Sequence, residues 1–274
     1  MKRRGASTME AAGAAMVLVL AAVALLAPLL APYDPTRAVA PNFGNPGSPS
    51  ASFPLGTDAL GRDVLSRIIY GARISLTVGV AAVAVTLVIG VTVGLVSGFF
   101  GGTADFVLMR LTDVMLTLPA LLLAMALVSV LSPSLFTILL VIGLVSWTQI
   151  ARVVRAETLS LVRRDFVLAA RALGAGSPRM IARHVLPNVA PIIVVMAALG
   201  TSGTLLLDAG LSFLGLGVPP PTPSWGRMIE EATIYFRTAP WLAAFPGLAI
   251  FWAVLGFNLF GYGFLRRTGR RGAP

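Results

Sequence analysis

This sequence predicts an all-α membrane protein with six transmembrane helices. Three observations carry that prediction. Apolar residues fill 57% of the 274 positions and charged residues only 12%, where a soluble domain carries about 25% charged residues. The mean hydropathy is +0.87. Six apolar runs approach the roughly 20 residues that a helix needs to cross a hydrocarbon core of about 30 Å.

The first run is Ala11–Ala31, behind Lys2, Arg3 and Arg4. A signal peptide also begins with a basic stretch before an apolar one. This run is longer than a signal core and ends in Pro28 and Pro32 rather than a small-x-small cleavage site, so it is read as an uncleaved span. Residues 32–73 then read as a long outside loop, rich in Pro, Gly, Ser and Asn between Pro41 and Pro54. Within it, Ser66–Ala72 is expected to form a short interfacial helix with Ile68, Ile69 and Tyr70 toward lipid. The second span is Ile74–Ser97. Its Gly90, Gly94 and Gly98 stand four apart and make a groove for close helix approach, serving internal packing or a partner subunit.

The third span is Val114–Leu131. Arg110 and Asp113, at i and i+3, are expected to pair on one helix face, and Pro119 is expected to bend the helix. The fourth span is Leu135–Ala151, followed by a basic segment, 152–187. The fifth is Val189–Leu214, and a loop at 215–240 carries Pro219, Pro220, Pro221 and Pro223. The sixth is Trp241–Leu265, where Asn258 is expected to hydrogen-bond between helices. Trp147 and Trp241 are expected to anchor at the membrane interface. The chain thus divides into an N-terminal span with its loop (1–73), a core (74–265) and a basic tail (266–274).

Orientation follows from Lys and Arg. With the N-terminus inside, fifteen of the 21 basic residues fall in inside segments. The outside keeps Arg37, Arg62, Arg67, Arg73, Arg227 and Arg237. The inverted topology reverses the ratio, so both termini are expected in the cytoplasm. The net charge of +10 also fits a nucleic-acid binder, but the positive-inside bias accounts for it, and no nucleic-acid partner is expected.

Several chemistries are excluded. There is no cysteine and only one histidine, His184, so thiolate catalysis, disulfides and Cys- or His-rich metal sites are absent. No G-x-x-x-x-G-K-[ST] phosphate loop occurs, so ATP is not bound in that manner. Gly200-Thr-Ser-Gly203 looks like the Gly-Ser pattern of intramembrane serine proteases. Ser202 needs a histidine base on a neighbouring span, but His184 lies in the inside loop before the span, and Ser202 sits about 20 Å further along at 1.5 Å rise per residue. Asp208 lies deep in the fifth span. It belongs either to a translocation path, with Ser202 beside it, or to a structural role near the interface.

The basic segment carries the functional signal. Phe166, Ala169, Ala170 and Leu173 share a helix face at i, i+3, i+4 and i+7. Gly174 and Gly176 break the helix. Ser177 is placed as the N-cap of a second helix, with Pro178 in its first turn, and Pro187 is expected to close it. Two short amphipathic helices joined by a glycine turn suit either a partner protein or anionic lipid.

AARALG at 169–174, followed by LPN at 186–188, resembles the EAA motif of ABC-importer permeases. Three further stretches, in the right order, resemble the dipeptide/oligopeptide/nickel branch of that family: LGTDALGRDVLSRIIYGARISL (55–76), GGTADFVLMRLTDVMLTLPALLLA (101–124) and LSFLGLGVPPPTPSWGRMI (211–229). The resemblance implies a type I ABC importer permease fold in the bacterial cytoplasmic membrane. It also implies a non-catalytic subunit working by alternating access, with a coupling helix that docks on an ATPase. The coupling role then falls on Ala169, Ala170, Leu173, Gly174, Ser177, Leu186 and Pro187. Leu168 occupies the family's glutamate position, which removes that carboxylate from docking. The implied partners are a second permease, two ATPase subunits carrying ATP and Mg, and an extracytoplasmic substrate-binding lipoprotein. The implied cargo is di- or oligopeptides, with nickel chelates or a related solute as the alternative; an ion-coupled secondary transporter is the rival outside the family.

Overall fold

The computed structural model describes residues 2–41 and 43–268, with backbone alone at 2–7 and 268. The tail residues 269–274 and the side chains of Lys2, Arg3 and Arg4 lie outside the described residues. The described chain is helical with no strand; two isolated bridges, Gly47–Thr57 and Thr57–Asp63, are its only β pairing. Among the described residues five helices are long and apolar enough to cross a membrane, and the count reaches six if one bent helix pair is taken as a single span.

The predicted first span divides into α1 (Lys2–Leu25) and α2 (Ala27–Leu30). Pro28 fits the first turn of α2, and Ala31 is extended because Pro32 follows it. α3 (Val64–Phe100) begins ten residues before the predicted second span. The Asp63 carboxylate caps it, accepting from the Ser66 amide at 2.8 Å. Ser66–Ala72 is therefore the opening of α3 rather than a separate interfacial helix, and the 73/74 boundary falls inside that helix. Ser66 and Arg67 are buried there because the two loops fold over them.

α4 (Gly102–Thr117) and α5 (Ala120–Leu131) stand where the third span is predicted, bent by 86° to one another. Pro119 accounts for the bend. It has no N–H for α4's ladder and forces Leu118 to extended backbone, ψ 130°. α6 (Leu135–Val162) starts on Ser134, whose hydroxyl accepts from the Thr137 amide at 3.0 Å, and runs well past the predicted fourth span. Next come α7 (Asp165–Ala172) and α8 (Ser177–Met180). A π turn (Ile181–Val185) leads without a stop into α9 (Leu186–Phe213). After it come α10 (Trp225–Ala232), a 3₁₀ turn (Thr233–Tyr235) and α11 (Trp241–Thr268).

α3 and α6 form the most extensive helix–helix contact. In lipid the hydrophobic effect does not join two apolar helices, so contact rests on van der Waals packing at short range. The glycine groove supplies it within the chain. A Cβ at Gly94 would lie 2.7 Å from Val154 Cβ, and one at Gly98 would lie 2.7 Å from Thr158 Cβ. α1 packs along α11, where Arg267 bridges Glu10 at 2.9 Å.

Four further expectations need correction. Asp113 pairs with Arg152 of α6 at 2.6 Å, while Arg110 lies over the Phe106 ring. The guanidinium one helix away reaches the carboxylate in place of the i−3 neighbour. Trp147 is 6% exposed and packs inside rather than at the interface. Asn258 donates to Val254 of its own helix at 2.8 Å, not across helices. Pro187 does not close a helix. It sits in the first turn of α9, where its missing N–H is tolerated.

Candidate functional site

At one face of the bundle, α7 and α8 form the predicted hairpin. Its turn is a Schellman stop: the Ala175 amide donates to Ala170 and the Gly174 amide to Arg171, at 3.1 and 3.0 Å. Gly174 has φ +81°, which only glycine adopts freely, and nothing lies within 4 Å of a Cβ built there. The base of the hairpin is fixed by burial. Val167 is fully buried, and Met180 and Val185 join a core with Leu95, Phe99, Val154 and Leu161. Arg171 lies 6.0 Å over the Phe99 ring, tying α7 to the last turn of α3.

The tip is exposed. Leu173 is 88% accessible, and Phe166 and Leu168 are exposed as well. Ala169, Gly174 and Pro187 face solvent, whereas Ala170, Ser177 and Leu186 are half-buried. Ser177 makes no capping hydrogen bond; Gly176 is the N-cap and Ser177 the first helical residue. Apolar side chains on a conformationally fixed tip suit packing against another protein.

A second feature gave no sequence signal. The α4–α5 break opens a cavity of about 560 Å³ bounded by α3, α6 and α9. Its polar lining is Thr86, Ser146, Thr148, Gln149 and Thr204, and no charged side chain lines it. Gly200 and Gly203 line it too, but Ser202 between them donates to Val254 of α11 at 3.3 Å. Asp208 is 2% exposed and lies outside the lining, its Oδ1 without a partner. Ser202 and Asp208 are thus not brought together with the cavity.

The opposite face is capped by the two long loops. Arg62 pairs with Asp58 at 2.7 Å and Glu231 at 3.0 Å. Arg67, almost fully buried, bridges the same two carboxylates. This network joins the first loop to α10, and Trp225 is buried beside it with its indole N–H donating to Ile68 at 3.0 Å.

Residues 90–271 match the family described as the binding-protein-dependent transport system inner membrane component. The chain belongs to that family. It is similar to the di/tripeptide transport system permease protein DppC of Pseudomonas aeruginosa, at 44% identity over 92% of this chain and 84% of that protein. It is 41% identical to the dipeptide transport system permease protein DppC of Haemophilus influenzae, over 92% of this chain and 86% of that one. The glutathione transport system permease protein GsiD of Pectobacterium atrosepticum is 41% identical over 90% and 82%. The permease fold and inner-membrane location expected from sequence are thereby established. Membership carries partners with it: a substrate-binding protein and ATPases on other chains.

Proposed function

We propose that this permease moves di- or oligopeptides across the bacterial cytoplasmic membrane by alternating access, as one non-catalytic half of a permease heterodimer. Two ATPase subunits, holding ATP and Mg, grip the hairpin in the cytoplasm. An extracytoplasmic binding protein delivers cargo to the loop cap. Both termini are cytoplasmic, and the chain itself binds no cofactor. Peptide cargo is supported by relatives at 41 and 44% identity that are named for peptide transport.

One observation carries the coupling assignment: the hairpin is exposed at its tip and locked at its base. Leu173 offers a partner an apolar contact, while Val167, Met180 and the Arg171–Phe99 contact pass any displacement into α3 and α6. Ala169, Leu173, Gly174 and Pro187 are the contact residues in this reading; Ala170, Ser177 and Leu186 hold the shape. Asp208 and Ser202, outside the cavity lining, act as packing groups beside the path.

The test is reconstitution of the permease pair, ATPases and binding protein in liposomes. ATP-dependent peptide accumulation is expected, and so is a cross-link between a cysteine at position 173 and the ATPase. Peptide uptake by this polypeptide alone, or labelling of Arg171 from outside intact cells, overturns the reading.

A further inference from the structure

We infer that the cavity at the α4–α5 break is a relay subsite for the main chain of a zwitterionic peptide, held by Ser146, Thr148 and Gln149 and by the free amides at the start of α5. The inference deepens the peptide-transport reading and rests on it.

Hydroxyl groups in these spans usually satisfy themselves on their own helix. Thr86 donates to Ala82 at 2.9 Å, Thr158 to Val154 at 2.7 Å and Thr201 to Ala197 at 2.8 Å. Ser146, Thr148 and Gln149 break this habit: among the described residues none of the three has a hydrogen-bond partner. All three line the cavity: Thr148 is 3% exposed, Ser146 is half-buried and Gln149 is exposed. Thr148, buried apart from its cavity wall, leaves its hydroxyl for water or a ligand in the cavity to complete. The cavity is the space that these groups can turn to.

Across from them, the break leaves the N-terminus of α5 open. Its N-cap is Pro119, which provides no side-chain cap, and Pro119 and Ala120 line the cavity. First-turn amides lack intrahelical acceptors and carry the positive end of the helix dipole. Interrupted membrane spans offer such ends to carboxylates. One wall therefore suits a terminal carboxylate, and the other suits peptide N–H and C=O groups.

With no lysine, arginine, aspartate or glutamate in the lining, no charge selects one peptide side chain over another. The groups that the wall fits are those every peptide carries. The volume of 560 Å³ lies within the roughly 300–1,000 Å³ of small-ligand sites.

The test uses the complete complex in proteoliposomes, binding protein included, with a radiolabelled dipeptide. Thr148→Val and Gln149→Leu should each lower the maximal uptake rate about tenfold, the effect of one hydrogen bond lost. Thr148→Ser should restore it. In a complex otherwise free of cysteine, Ser146→Cys should react more slowly with a charged thiol reagent when peptide-loaded binding protein is present than with the empty one. Wild-type uptake by both apolar variants, or a labelling rate unmoved by peptide, overturns the subsite. A wild-type complex that accumulates no peptide overturns the cargo assignment instead.

Discussion

Arg155 of α6 holds both carboxylate oxygens of Asp105 on α4, through Nε to one and an Nη to the other. With Arg152–Asp113 eight residues along α4, it fixes that half of the broken crossing to α6. The pair is partly buried, with side-chain exposures of 31 and 19%, so its loss outweighs that of a surface ion pair. Asp105→Asn is expected to destabilise the permease in detergent by roughly 2 kcal/mol. The swap Asp105→Arg with Arg155→Asp should recover part of that, read by thermal unfolding in a double-mutant cycle.

The glycine groove makes a second prediction. Gly94→Val sets a branched side chain against Val154, where even a Cβ meets its neighbour at 2.7 Å. Overpacking of this kind costs about 1–3 kcal/mol. Thermal unfolding should show the loss, while Gly203→Ala, with open space at its Cβ in the middle of α9, holds or raises the midpoint.

In the loop cap, Arg67→Ala leaves Asp58 and Glu231 facing each other with only Arg62 between them. Removing one partner of a buried charged cluster costs about 3–5 kcal/mol. Faster proteolysis within residues 32–63, ahead of the spans, is the expected readout.

Gly174→Trp tests coupling. Its φ of +81° costs an L-residue about 1–2 kcal/mol, too little to prevent insertion. ATP hydrolysis by the reconstituted complex should continue while peptide uptake is lost. Unchanged uptake counts against docking at this turn.

Asp208→Asn removes a buried carboxylate that has no ion pair among the described residues. Stability in detergent is expected to hold or rise, since an isolated charge in a span is a burden that the amide does not carry. A clear fall in the unfolding midpoint would show that Asp208 has a partner worth keeping.

The crossings were legible because a bilayer imposes length and hydropathy on each of them. Pro119 announced its bend, and Gly90, Gly94 and Gly98 their close approach, since both effects are local to the residue type. Partners across helices were not legible. Asp113 had a cation at i−3, and nothing in the sequence tells that Arg152 lies nearer. Trp147 fits an interfacial anchor by composition, and only the rotation of α6 buries it. α10 hid behind the prolines at 219–223, because its eight residues owe their place to Trp225 and Glu231 packing against α3. The cavity was invisible for the same reason: an unpaired hydroxyl reads like any other until its neighbours are placed.

α3 has 37 residues, about 55 Å at 1.5 Å rise, against a hydrocarbon core of about 30 Å. It carries no proline, and it exceeds that core by about 25 Å, with Arg67 under the loop cap near one end and Phe99 beneath Arg171 at the other. Moved as a rigid rod, such a helix would act as a see-saw. Tilted by about 10° around its middle, it carries each tip roughly 5 Å in opposite directions. In the coupling proposed above, a squeeze at the hairpin end is felt as a release at the other, with no joint between them to absorb it.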